Sequence, residues 1–235
     1  MSDQLAAMAF ARALAQRCDQ RFGEKILGIY LIGSLAHGGF APRYSDIDLA
    51  LVVRDQLASD DLDVIRAEAA AESSRLAPLL SVFWADPDFR IGRFPPLDRA
   101  DLIDHGVTLR ERVRRRPSCP TLPQVRSYMR GEPLRNWCEQ VAQFAAIETV
   151  AGEDHKRYLR ALLYPARFLY SWESGTIASN DAAVSFLEGT KFNLDLDLIK
   201  RALHCRNQGS DLTALFPERS KLTAQRDAVL THVAL

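Results

Sequence analysis

The chain has 235 residues, enough for one large domain or two small ones with a sizeable core. Lys+Arg and Asp+Glu balance at 30 each, so no global basic field gathers nucleic acid, which argues against a template-dependent polymerase and against nucleic acid as a partner. No apolar run approaches the roughly 18 residues of a membrane span, the acidic start at Asp3 lacks a signal-like pattern, and Cys18, Cys119, Cys138 and Cys205 have neither disulfide-framework nor zinc spacing. A cytoplasmic protein with reduced thiols is expected.

In chain order, residues 3 to about 22 predict an amphipathic helix with Met8, Ala11, Leu14, Ala15, Cys18 and Phe22 on its apolar side. Phe22-Gly23 ends it. Ile26 to Ile32 then reads as a short buried strand that runs into Gly33-Ser34. The next residues, from Leu35, predict a short helix broken by Gly38-Gly39, and Pro42 turns the chain toward a second strand. His37 reads as structural and Arg43 as a solvated loop residue, with a nucleotide or phosphate contact as the alternative for each.

Asp46 to Val53 predicts that second strand with period-2 alternation. Asp46, Asp48, Ala50 and Val52 fall on one face, and Ile47, Leu49, Leu51 and Val53 on the other. Two carboxylates therefore point the same way from a strand whose opposite face is apolar. Such a pair repels, and burying it is costly unless a cation compensates. Hard divalent cations such as Mg²⁺ prefer carboxylate oxygens and bind beside substrate phosphates. The Gly33-Ser34 turn suits a phosphate, because glycine lets the backbone approach and serine offers a hydroxyl.

Asp55 to about Leu76 predicts a helix, and Leu79 to Trp84 a third strand, parallel to the second if the helix makes a right-handed crossover. Ser81 lies in that strand, and Asp86 and Asp88 come only at its far end. Arg93-Phe94-Pro95 leads to Asp98 and a helix through Ile103, and Gly106 to Leu109 closes with a short strand. Arg110 to Pro123 reads as a charged, proline-bearing linker, which divides the chain into domains 1–115 and 116–235. From Leu122 the pattern is helical, clearest over 142–150, 156–172, a helix capped by Ser179, one over 196–204 and a final one through His232.

Gly33-Ser34, an eleven-residue gap, then Asp46-Ile47-Asp48 among apolar residues resembles the signature of the DNA polymerase beta-like nucleotidyltransferase superfamily. Arg-x-Leu-Tyr from Arg167, followed by Glu173-x-Gly175-x-Ile177-x-Ser179-x-Asp181, is similar to the C-terminal domain of the streptomycin/spectinomycin adenylyltransferases. Asn180 departs from the lysine often found there. The resemblance implies an α+β fold: an N-terminal mixed sheet with flanking helices, followed by an all-α bundle that binds substrate.

It further implies Mg²⁺ held by Asp46 and Asp48, ATP as co-substrate with Gly33 and Ser34 on its phosphates, and AMP transfer to a hydroxyl of a small acceptor, with an aminoglycoside as one candidate. Most members carry a third carboxylate near the start of strand three, where this chain has Ser81. The adenylyltransferases that lack it place their base shortly after an Arg-aromatic-Pro segment, which selects Asp98, with Asp86 the rival. Glu148, Glu173 and Asp181 are candidates to meet a cationic acceptor in a cleft between sheet and bundle. Arg167, Tyr170 and Glu173, at helical spacing, fit a bundle network as well as a pocket, and Trp172 reads as core. Two other classes stay open: a protein-adenylylating or toxin–antitoxin type module, and a nucleotide-binding protein without activity.

Overall fold

The strand β1 (Ile26–Ile32) is buried along its whole length, which explains why its sequence is an unbroken apolar run. It lies inside a five-stranded sheet of order β4-β3-β2-β1-β5 and is covered on both faces. The computed structural model describes residues 3–234. They form two compact units that divide between Pro120 and Thr121, within the proline-bearing segment.

In the first unit β2 (Ile47–Val53) pairs antiparallel with β1, and β5 (Val107–Glu111) pairs antiparallel with the other edge of β1. β3 (Leu80–Ala85) runs parallel to β2, and the two-residue β4 (Gly92–Arg93) is antiparallel to β3. The parallel pair is joined by the helix α3 (Ser59–Glu72), as a crossover requires. That helix is shorter than the 55–76 pattern. Its start is set at Ala58, whose N–H donates to the Asp61 carboxylate at 2.8 Å.

The two sheet faces have different covers. Ile29, Leu31, Ile47, Leu49, Leu51 and Val53 pack under α1 (Asp3–Phe22) and α3, against Phe10, Leu14, Cys18 and Ile65. The buried positions of α1 (Ala7, Phe10, Ala11, Leu14, Ala15, Cys18) recur at three- and four-residue steps, the stripe of an amphipathic helix. Each such fully buried leucine or isoleucine contributes about 1.5–3 kcal/mol relative to exposure. On the opposite face Tyr30, Ile32, Ala50, Val52 and Ala85 pack with Phe89, Phe94 and Leu102, the last from α4 (Pro96–Asp104). The acid-bearing face of β2 is therefore the α4 face, because Ala50 and Val52 share the parity of Asp48.

Two of the arginines after β5 are engaged within this unit. Arg112 pairs with Asp19, and Arg116 lies 4.5 Å above the Tyr30 ring while reaching Glu111.

The second unit holds six α-helices among the described residues: α5 (Leu122–Arg130), α6 (Glu132–Ala146), α7 (His155–Ser174), α8 (Asn180–Glu188), α9 (Leu196–Gln208) and α10 (Lys221–Ala234). Ser179 caps α8 by accepting the Ala182 N–H at 3.2 Å. The helix expected over 142–150 is the end of α6. It stops at Ala146, and Ile147 is extended. Trp172 is buried, stacked on Phe168 and flanked by the guanidinium groups of Arg126 and Arg130 at 5.2 and 4.8 Å, so it is a core residue. Among the described residues no helix is long and apolar enough to cross a membrane.

Candidate active site

The site begins where β1 ends. Ile32 stands opposite Asp48 on the antiparallel β2, and the chain turns at once into the four-residue helix α2 (Gly33–Ala36). Gly33 takes φ +71°, a left-handed conformation that L side chains rarely adopt. A Cβ there would also lie 2.2 Å from Oδ2 of Asp48. Two independent constraints thus demand glycine, and the second exists because the backbone of the turn is pressed against a carboxylate.

Asp48 is half-buried on β2, and Asp46 is half-buried just ahead of it, since the strand starts at Ile47. Across the parallel pair the neighbour of Asp48 is Ser81, on the same face. No third carboxylate therefore comes from β3. Asp48, touching the glycine turn, and Asp46, two residues earlier in the chain, offer carboxylate oxygens of the kind a hard divalent cation prefers.

The turn has a second acid. Asp101, in the middle of α4, is almost wholly buried and accepts the Gly33 N–H on Oδ2 at 2.8 Å. Its Oδ1 lies 2.5 Å from Nε2 of His37, which follows α2 directly. The His37 ring is in turn 4.4 Å from the ring of His105, the residue that ends α4. Gly33 thus has Asp48 on its Cα side and Asp101 on its N–H side. His37 is structural in that it is tied to a buried carboxylate.

The Gly33 N–H, expected to reach a phosphate, is occupied by Asp101 here, so the part left to Gly33 is its missing side chain. Ser34 is half-buried within α2. Sequence reasoning missed Asp101. The available signal was its position four residues after Leu97 in α4, an acid on the apolar side of a helix.

Asp98 lies in the first turn of α4, half-buried, one turn before Asp101 and so near the same side of the helix. It is not the N-cap, which is Pro95. Phe94, from the Arg93-Phe94-Pro95 segment, is buried against Phe83 and Phe89, which anchors the start of α4 on the acid-bearing face.

Asp86 has a different place. β3 runs parallel to β2, so Ser81 is beside Asp48 and Asp86 lies five residues further on, about 16 Å along the strand. Its Oδ1 accepts the N–H groups of Arg90 and Ile91 at 2.6 and 2.8 Å. Burial alone would push this carboxyl up, but the backbone donors of Ile91, Arg90 and Asp88 together hold it below the usual carboxylate range. Asp86 closes the turn after β3 and is removed as a candidate base.

In the second unit two of the expected acceptor acids, Glu173 and Asp181, are engaged locally. Glu173 pairs with Arg126 at 3.4 Å and with His232 at 2.6 Å. Asp181 accepts from Asn207 Nδ2 at 2.9 Å. Glu148 is exposed in the segment after α6. Arg206 of α9 is buried, and its pKa is lowered first by that burial and then by the charges of Arg167 and Arg160, with Asp181 opposing. Asp181 therefore counters the charge of Arg206. Tyr170 packs edge-on against Phe186, as a bundle network requires.

The glycine turn, the paired acids and the mixed sheet with its α3 crossover are the features of a nucleotidyltransferase domain, and residues 11–84 match the family model of that description. The first unit is a nucleotidyltransferase domain of the polymerase beta-like kind, and the chain is an enzyme of the transferase class. The match takes in Gly33, Ser34, Asp46 and Asp48 and ends before α4. Among solved structures the chain is similar to the spectinomycin adenyltransferase AAD(9) from Enterococcus faecialis, crystallised with ATP and spectinomycin. The identity is 11%, the TM-score 0.66, and the similarity covers 96% of this chain and 99% of that one. That likeness extends the shared fold through the helical unit. No curated protein matches the chain.

Proposed function

We propose that this enzyme transfers AMP from ATP to a hydroxyl of a small-molecule acceptor, with the first unit as the catalytic domain and the second as the acceptor-binding domain. The observation that carries the reading is the Gly33–Asp48 contact, in which a left-handed glycine brings the turn against a carboxylate that has a second acid, Asp46, two residues away. Asp46 and Asp48 would hold Mg²⁺, which when bound neutralises negative charge on phosphate oxygens.

Gly33 leaves room for phosphate and carboxylate to approach each other, and the Ser34 hydroxyl donates to a phosphate oxygen. Asp98 accepts the proton of the attacking hydroxyl, whose oxygen bonds the α-phosphorus as the bond to the β-phosphate breaks and pyrophosphate leaves. Its support is its position on α4, one turn from the carboxylate that grips the Gly33 turn. Asp101, already bound to Gly33 and His37, positions the turn.

The AAD(9) neighbour makes an aminocyclitol or aminoglycoside the first acceptor class to test. In the helical unit, Asp181 is already held by Asn207 and opposes the charge of Arg206, which favours Glu148 over Asp181 as a contact for a cationic acceptor. Purified protein is incubated with labelled ATP, Mg²⁺ and an acceptor panel that includes streptomycin and spectinomycin, and the same drugs are tested on a sensitive bacterial host expressing the chain. Labelled drug and raised tolerance are expected, with loss of both in Asp46→Asn and Asp48→Asn and a large fall in turnover in Asp98→Asn.

Unchanged transfer in the Asp46 and Asp48 variants refutes the assignment of the acids. Labelling of lysate proteins in place of small molecules would move the acceptor to protein. Ser81 beside Asp48 favours a second reading, a nucleotide-binding protein without turnover. ATP binding with no transfer to any acceptor would establish it.

A further inference from the structure

We propose that His37, Asp101 and His105 form a binding site for a borderline first-row divalent cation of the Zn²⁺ type, with a ligand set distinct from Asp46 and Asp48. The three side chains offer ligand atoms that all lie within 4.8 Å of one another. In a tetrahedral site with bonds of about 2.0–2.1 Å, ligand atoms stand about 3.3 Å apart. The His37–Asp101 pair, now at 2.5 Å, has to open by less than about 1 Å. His105 is exposed at the end of α4, so its ring is free to close the third edge.

The surroundings are those of a built site. The side chains of His37 and Asp101 are 6% and 2% exposed, while the exposed His105 leaves an entry path and room for a water ligand. The Gly33 N–H holds the second oxygen of Asp101 and so fixes the plane of the carboxylate, the kind of outer contact that orients a ligating group. Two imidazoles and one carboxylate favour Zn²⁺, Co²⁺ or Ni²⁺, whereas an all-oxygen set favours Mg²⁺, so one protein sorts the two cations by ligand type. A cation here ties α2 to α4 at the turn that carries Gly33 and Ser34. The cation site does not depend on the transfer reaction, and its test reads metal directly, so either can fail alone.

Co²⁺ is the probe, titrated into the full chain in excess Mg²⁺. The expected result is one equivalent bound with the strong visible bands of tetrahedral cobalt, displaced by Zn²⁺. His105→Ala, a change at an exposed residue, should weaken Co²⁺ at least tenfold with the circular dichroism unchanged. Asp48→Asn should leave the bands in place. Absence of the bands in the wild-type chain, or bands that survive His105→Ala and vanish in Asp48→Asn, would overturn the proposal. The second outcome would assign the bound cobalt to the paired acids.

Discussion

Replacing Gly33 by alanine tests the geometry of the site at its tightest point. The φ of +71° costs an L residue about 1–2 kcal/mol. The new Cβ would also meet Asp48 Oδ2 at 2.2 Å, whereas real Cβ contacts essentially never fall under 3.0 Å. The carboxylate must therefore retreat by about 0.8 Å, the difference of those two distances. A displacement near 1 Å in a reacting constellation is enough for about a 100-fold loss of rate.

Gly38→Ala supplies the control, because Gly38 has a similar φ of +79° but nothing within 4 Å of an added Cβ. Urea unfolding should show Gly38→Ala destabilised by about 1–2 kcal/mol and Gly33→Ala by at least as much. Turnover of labelled ATP should fall about 100-fold in Gly33→Ala and stay near wild type in Gly38→Ala. If Gly33→Ala loses no more activity than Gly38→Ala, the contact with Asp48 has no catalytic meaning.

Asp86→Asn should leave turnover intact while weakening the turn after β3, seen as a lowered unfolding midpoint. The native Asp86 carboxyl is held below its unfolded value, so its contribution is complete above the ordinary carboxylate pKa, near 3.9, and is lost as pH falls through the depressed native value. The wild-type advantage over the asparagine variant should therefore vanish in acid. At the alkaline end, burial pushes both Tyr30 and Tyr158 up to about 12. Both phenols donate, to Glu111 at 2.7 Å and to the Leu215 carbonyl at 2.9 Å. Their native pKa values lie above the unfolded value near 10, so stability is full below pH 10 and falls as pH rises toward 12. Tyr158→Phe should flatten that fall, and unchanged alkaline unfolding in the variant would contradict it.

Much of the first unit is legible in the sequence because its signals are local. Strand β1 was readable to the residue, since seven apolar positions ending in glycine leave little choice of register or length. The faces of β2 follow from strict alternation, and the parallel direction of β3 follows from the helical crossover that joins it to β2. The pair Asp46 and Asp48 stood out because acids on a buried strand conflict with local physics unless something offsets their charge.

What the sequence by itself determined, then, is the pieces whose cause lies within a few residues: β1, the two faces of β2, the α1 stripe and the Ser179 cap. Tertiary structure alone decided the partners. Asp101 reaches Gly33 across 68 residues of chain, and its other oxygen meets His37, whose ring lies against that of His105. Asp86, equally acidic in the sequence, is drawn instead into a backbone turn at the far end of β3. Glu173 and Asp181 likewise find their partners on other helices of the bundle. The physical reason is that a carboxylate takes its role from the donors and charges around it, and those are gathered by packing from distant parts of the chain.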